Sequence, residues 1–529
     1  MRSPRPVGMA SRLALVGALI VPLAAEARQE GAGTAASDAQ DRTGAVRPTG
    51  DAWRPVVRGR LKNGLSYAIL PRPAREPGVG LLMRVEGGFI AERRPGERGL
   101  AHLIEHVVFH SPTRTAPDQL DRFLRVGLPL TFPAPTVATT TWRESNYFVS
   151  SRETKPADID ALLGLFREVA GELTFRADAV DRERASVMRE MAEKKPGNEI
   201  NARYIAAVAP GSPTDVIDGQ NSDDVPTASI ETIRGLYRRL YRPENMMVVI
   251  VGDVDAAQMK ALIRKRFGDW RGDGRAPVRP PFPRFRSDRI APVSYSDAQA
   301  GSGVATISVV MPTPPPAGTR RRQAEATLMD RVAARAVINR LALAQPGSAP
   351  NKFGLFIENG EYGHRLFLLW DNFAPGQWRP AVAGLKKLTC ELGRAGLSEQ
   401  DWAAAKQDVV RELEGRARDM AKAPNVELAK DLSHALADGR ELIPPDEMLA
   451  HARALLPALG AQAMNRWWRR QWRAGVEHIR VETPELAGVK DPRAAISQVV
   501  DSARRGRGVR GSAIPGGLRR RLAQSRRPC

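Results

Sequence analysis

"GLAHLIEHVVFHSP", residues 99–112, holds three of the chain's seven histidines. His102 and His106 stand four apart, and Glu105 precedes the second of them. On a helix, positions i, i+3 and i+4 are neighbours, so all three side chains share one face. Two neutral imidazoles one turn apart can bind a single zinc ion, which at catalytic sites keeps one position open for water. A carboxylate beside that water can take its proton and pass it to a leaving amine. The order His-x-x-Glu-His is the inverse of the commoner zinc-peptidase motif. His110 falls at the helix end before Ser111-Pro112 and reads as a capping or surface group.

Two histidines need a third ligand. "ERASVMRE", residues 183–190, places Glu183 and Glu190 seven apart, close to two helical turns and therefore on one face. One can ligate while the other orients the site. Spacing alone leaves Glu190 and Glu193 as alternatives. A five-residue motif with three fixed letters also arises by accident. Here the glycine-ended strand before it and the paired glutamates after it agree with the metal reading. His364, His434, His451 and His478 are scattered and read as structural or surface groups.

The organisation around these motifs is read outward. Arg2, Arg5 and Arg12 precede the apolar run "LALVGALIVPLAA" and a small-x-small pattern at Ala25–Ala27, which reads as a signal peptide over 1–27. A polar leader follows over 28–52. "LKNGLSYAIL" reads as strand, Asn-Gly turn and strand. "VGLLMRVEGG" and "MMVVIVGDVD" read as strands, and "ALLGLFREVAGEL" and "DAVDRERASVMREMAEK" as helices. The Pro-, Gly- and Arg-rich segment 271–289 reads as a linker between a first domain, 53–270, and a second, 290–485. The second repeats the grammar of strands followed by helices and has no counterpart of the histidine cluster.

The formal net charge is +21. Much of that excess lies from Ser502 onward, where arginines recur without a single acid. Residues 486–529 read as a basic, unstructured tail. No groove-reading or base-stacking module accompanies it, so nucleic acid is not an expected partner. No segment beyond the signal peptide has the apolar length to cross a bilayer. The two cysteines, Cys390 and Cys529, give no disulfide framework.

With these motifs in place, the sequence resembles the pitrilysin/insulinase family of zinc metallopeptidases. "RGRLKNGLSYAIL" is similar to that family's opening hairpin, "EGGFIAERRPGERGLAHLIEHVVFHSP" to its strand, loop and zinc helix, "ERASVMREM" to its glutamate helix, and "LYRPENMMVVIVGDVD" to the last strand of its first domain. The resemblance covers roughly residues 53–480. It implies His102, His106 and Glu190 as zinc ligands, Glu105 as general base toward a zinc-bound water, and Glu183 as a second catalytic carboxylate. It also implies an α+β fold of two similar domains, each a mixed sheet with helices on one face, forming one half-shell of a clamshell peptidase. A substrate peptide then adds as a strand at a sheet edge within "VATTTWRESNYF", residues 137–148. Val137, Ala138 and Thr139 begin that edge.

Two departures stand out. The family usually has Asn-Ala where this chain has Val137-Ala138, which removes an amide near the zinc. The larger secreted bacterial members also carry a second half, whose substrate-contacting arginine and tyrosine have no match here. The expectation is therefore a periplasmic zinc endopeptidase that needs a second half-shell, from a partner or another copy of itself. The alternative is a family member that binds zinc and peptide but cleaves weakly or not at all.

Overall fold

A computed structural model describes residues 55–72, 78–114, 138–152, 154–210, 222–275, 286, 288–297, 303–311, 318–345, 352–359 and 365–505. The expected signal peptide and leader, Val137, most of the expected linker and residues 506–529 lie outside the described residues.

The first sheet consists of β1 (Val57–Arg60), β2 (Ser66–Pro71), β3 (Val79–Glu86), β4 (Ala138–Thr140), β5 (Glu144–Ser151) and β6 (Met246–Gly252). Its helices are α1 (Leu100–His110), α2 (Pro156–Gly171), α3 (Ala177–Val208), α4 (Ile230–Leu240) and α5 (Ala256–Phe267). The second sheet consists of β7 (Val293–Ser296), β8 (Gly303–Met311), β9 (Phe353–Asn359), β10 (Arg365–Phe373) and β11 (Val476–Glu482). With it go α6 (Arg320–Ala344), α7 (Trp378–Arg394), α8 (Glu399–Arg418), α9 (Asn425–Ala437), α10 (Pro445–Leu455), α11 (Ala461–Ala474) and α12 (Pro492–Arg504).

The strand orders are β1-β2-β6-β3-β5-β4 and β7-β11-β8-β10-β9. In the first, β2 runs parallel to β6, and β6, β3, β5 and β4 alternate antiparallel. In the second, β7 runs parallel to β11, and β11, β8, β10 and β9 alternate antiparallel. The two sheets therefore share one topology, with β1 added to the first. This is the expected pair of similar α+β domains.

Both faces of the central strands are buried, which is why they read as unbroken apolar runs. On β6, Met246, Val248 and Ile250 pack among the first domain's own helices. Val249 and Val251 point the other way, onto Leu428, Ala429 and Leu432 of α9. The cover is reciprocal. Tyr204 and Val208, at the end of α3, pack on Val310, Leu366 and Leu368 of the second sheet. Each sheet thus has its own helices on one face and a helix from the other half of the chain on the opposite face. Helices on one face alone are the expectation that this refines.

A charged cluster is sealed within the first of these contacts. Arg84 of β3 is fully buried and pairs with Glu86 at 2.6 Å and Glu144 at 3.0 Å. Arg143 reaches Asp438, just past α9, at 2.6 Å. Burial alone raises the Glu144 carboxyl, but Arg84, His434 and Arg143 outweigh it and hold it at about 2.

Three local readings change. The Asn63-Gly64 turn closes a loop of residues 61–65, with the Leu61 amide donating to the Leu65 carbonyl, and β1 begins earlier than expected. Residues 137–148 are not one edge strand. Thr141–Arg143 turn the chain, so β4 is the edge and β5 lies inside it. The expected tail from residue 486 is structured at its start, because α12 buries Ala495, Ile496, Val499 and Val500 against the second core. That apolar stripe sits at helical spacing among polar neighbours.

Two stability outcomes follow from this interface. Leu432→Ala, at a fully buried position, is expected to cost about 2–5 kcal/mol, measured as a shift in the urea midpoint. Because the folded Glu144 carboxyl is depressed, its contribution is complete above the unfolded value and is lost as pH falls from about 4.5 toward about 2. Glu144→Gln should lower stability at neutral pH and flatten that acid limb; identical limbs for the two chains would refute the assignment.

Candidate metal centre

α1 starts at Gly99, whose φ of 84° is in the left-handed region that favours glycine. Leu100, Leu103, Ile104, Val107 and Val108 are buried in the first core. Fixing that apolar side turns His102, Glu105 and His106 together toward α3. His102 and Glu105 are buried, and His106 is half-buried. On α3, Val180 and Val187 enter the same core, which aims Glu183 and Glu190 back at α1.

The donor atoms converge. Glu190 Oε2 lies 3.6 Å from His102 Nε2 and 3.3 Å from His106 Nε2. The imidazole rings meet edge to face with centroids 4.8 Å apart. One ligand atom from each of His102, His106 and Glu190 falls within 4.8 Å of the others, and among the described residues no other such group forms. Glu193, which spacing left open, is exposed and outside the group.

Glu183 is buried beside the cluster. Its Oε2 lies 3.3 Å from His106 Nδ1, and its Oε1 lies 3.7 Å from His110 Nε2. His110 therefore faces the site, whereas its position before Ser-Pro suggested only a capping or surface role. Its spacing of four from His106 was the available signal. Burial opposes a charge on His106, but hydrogen bonds to Glu183 and Glu190 and the nearby Glu105 overcome it and raise the ring to about 9. Close by, the Tyr147 and Tyr241 hydroxyls hydrogen-bond each other. Burial first, with the Glu105 charge among the further causes, pushes both phenols up, so both stay neutral.

The donor set fits zinc. Bonds of about 2.0–2.2 Å in a tetrahedron separate ligand atoms by about 3.3–3.6 Å, and the two Glu190 distances are 3.3 and 3.6 Å. A Nδ1 proton held by Glu183 leaves His106 Nε2 as the metal-facing lone pair.

β4 ends the first sheet next to α1. Ala138 is buried and Thr139 half-buried, paired with Tyr147 and Asn146 of β5. The structure thus places two of the three expected edge residues beside the helix that carries the histidines. One participant escaped the sequence reading. Glu92, in the loop before α1, accepts hydrogen bonds from the Gly99 and Ala101 amides, both at 2.8 Å. A glutamate eight residues before a helix leaves no local capping signature.

The chain is similar to known proteins in sequence and in fold. Residues 71–206 match the model of the insulinase family, peptidase family M16, and residues 227–335 match that of the peptidase M16 inactive domain. The chain is 29% identical over 219 residues to the "Probable zinc protease PqqL" of Escherichia coli, covering 40% of this chain and 22% of that protein. It is 25% identical over 215 residues to the zinc protease PqqE of Helicobacter pylori, covering 39% and 45%. The crystal structure of the periplasmic protease PqqL from Escherichia coli superposes with a TM-score of 0.70 at 19% identity, over 88% of this chain and 52% of that one. The first half of that protease, solved separately, gives 0.70 at 18% identity over 87% and 98%. The matched sequence thus spans less than half the length of either relative, and the shared fold spans about half of PqqL. Over residues 71–206 and 227–335 the chain is thus similar to the insulinase (M16) family of peptidases, and its fold is that of the first half of PqqL.

Proposed function

We propose that this chain is a zinc-dependent endopeptidase acting on peptides or unfolded protein segments in the periplasm. The observation that carries the reading is the meeting of His102, His106 and Glu190 at tetrahedral ligand spacing, with Glu105 on the same helix face. The zinc-protease names of the relatives support the chemistry. The periplasmic setting of PqqL supports the location, and no helix among the described residues is long and apolar enough to cross a membrane.

In this reading His102, His106 and Glu190 hold the zinc. When bound, zinc supplies a Lewis acid that polarises the scissile carbonyl and acidifies water. Glu105 takes the proton of the attacking water and delivers it to the leaving amide nitrogen. Glu183 accepts the Nδ1 proton of His106 and so fixes its tautomer and ring plane. The substrate lies along β4, past Val137, Ala138 and Thr139, adding a strand to the sheet edge. We assign residues 53–270 to the zinc-binding domain, 271–289 to the linker and 290–485, extended by α12, to the metal-free domain. The pair forms one half-shell, completed by a partner subunit or a second copy of the chain.

A second reading is a zinc- and peptide-binding subunit with weak or absent cleavage. Val137 favours it, because valine has no side-chain amide where the family has asparagine. Losing one oxyanion-type donor costs about 2.7–4 kcal/mol of transition-state stabilisation.

The purified chain is expected to bind one zinc per copy, measured by metal analysis. Glu190→Gln should abolish tight binding. Glu183→Gln should weaken it about 10–100-fold, as loss of a partner that orients a ligand does. Glu105→Gln should keep the zinc and lose about 10²–10⁴-fold in cleavage of an unstructured peptide. Zinc uptake without cleavage, alone and with a second half-shell, selects the second reading. Cleavage that survives Glu105→Gln removes Glu105 as the base.

A further inference from the structure

The loop between β3 and α1 is stitched at both ends. At its start, the amides of Gly87, Phe89 and Ile90 donate to the carbonyls of Arg143 (2.7 Å), Thr141 (3.0 Å) and Trp142 (2.8 Å). Those three acceptors form the tip of the β4–β5 hairpin. Gly88 has φ 39°, and a Cβ there would collide with the Thr141 carbonyl, so the loop lies directly on the hairpin. Four residues further on, Glu92 divides its carboxylate between two amides at the head of α1. Oε2 takes the Gly99 N–H and Oε1 the Ala101 N–H, both at 2.8 Å.

α1 has no side-chain cap of its own, because its N-cap residue is Gly99. The first-turn amides of a helix need acceptors. Here two of them find theirs in the oxygens of Glu92, on the chain that holds the sheet edge, although burial raises that carboxyl to about 8 against the two amide hydrogen bonds. His102 directly follows Ala101, one of the two amides it holds. Segment 87–92 therefore connects the edge strand to the helix bearing the histidines through five hydrogen bonds, three at one end and two at the other.

We propose that Glu92 is a positioning residue for the metal centre. As a remote cap of α1, it sets the height and rotation of the helix against β4, and with them the positions of His102 and Glu105 relative to a peptide on the edge. The inference rests on the metal-centre reading above for its functional consequence, but its structural core does not require metal. A residue that only stabilised the fold would change the melting temperature and leave zinc affinity and kcat untouched in the folded protein.

The test uses the full chain as wild type, Glu92→Gln and Glu92→Ala, with folding checked by circular dichroism. Glutamine keeps the size of the side chain but replaces one acceptor by a donor facing an N–H. It is the decisive variant should alanine fail to fold. Amide hydrogen exchange is measured on metal-free protein, zinc affinity by chelator competition, and kcat and KM on an unstructured peptide. Glu92→Gln should speed exchange at residues 99–103 at least tenfold and leave α2 unchanged. It should weaken zinc about 10–100-fold and lower kcat more than it raises KM. Unchanged exchange at 99–103, or unchanged zinc affinity in folded Glu92→Gln, overturns the proposal. A wild-type chain that takes up no zinc overturns the metal-centre reading instead, and the exchange measurement then decides the capping claim alone.

Discussion

Carboxylates from Glu105, Glu183 and Glu190 crowd the imidazoles of His102, His106 and His110 in a largely buried site. Like charges at such range repel, and burial removes the water that would screen them. The arrangement is stable only with positive charge at its centre. Without metal, a proton on His106 provides it, which is why that ring is held near 9 against the opposing effect of burial. A divalent cation provides it more fully and satisfies donor atoms that already stand 3.3 and 3.6 Å apart. An ordinary structural ion pair needs one acid for each base. Here three carboxylates face imidazoles that carry charge only when protonated, so negative charge is in excess, as a metal site requires.

Holding that excess requires rigid supports, and the fold supplies them from both halves of the chain. α1 and α3 are pinned by the apolar side of each helix. The sheet beneath them is closed by α9, which begins more than two hundred residues after α3 ends. Arg84, Glu144, Arg143 and Asp438 fasten the β4–β5 hairpin to that helix. Buried pairs of this kind add little net stability over apolar residues but are costly to break on one side. They fix the hairpin in one place. The second domain therefore sets where the β4–β5 hairpin lies beside α1, without contributing a residue to the histidine–glutamate cluster.

What the sequence made legible followed from local periodicity. The spacing of His102, Glu105 and His106, and of Glu183 and Glu190, is a property of a single helix turn or two. The run at 246–252 announces a strand buried on both faces. What stayed hidden depended on contacts distant in sequence or on short breaks in a pattern. Thr141–Arg143 is too brief a turn to interrupt the apparent strand of residues 137–148. The stripe of Ile496, Val499 and Val500 sits beside arginines that dominate the composition. Glu92 looks like one more loop acid until the fold sets it against the Gly99 and Ala101 amides. The choice between Glu190 and Glu193 came only from the family resemblance, and the geometry agrees with Glu190.

The second sheet shows why equal topology does not yield equal chemistry. Several of its buried polar groups are paired with one another. Lys386 is matched by both oxygens of Glu477, at 2.7 and 2.8 Å. Arg365 takes both oxygens of Asp330. His478, fully buried, donates from Nδ1 to the Ala291 carbonyl at 2.6 Å and accepts from Ser294 Oγ at 2.8 Å. Burial lowers its ring to about 4, so it stays neutral. A serine beside a histidine resembles a nucleophile and base, yet this pair has no exposed surface from which to act, and each ring nitrogen is already used. In the first domain the same framework leaves three donors, from His102, His106 and Glu190, converging on one point. That convergence, not the sheet, separates the half whose residues fit a metal from the half that braces it.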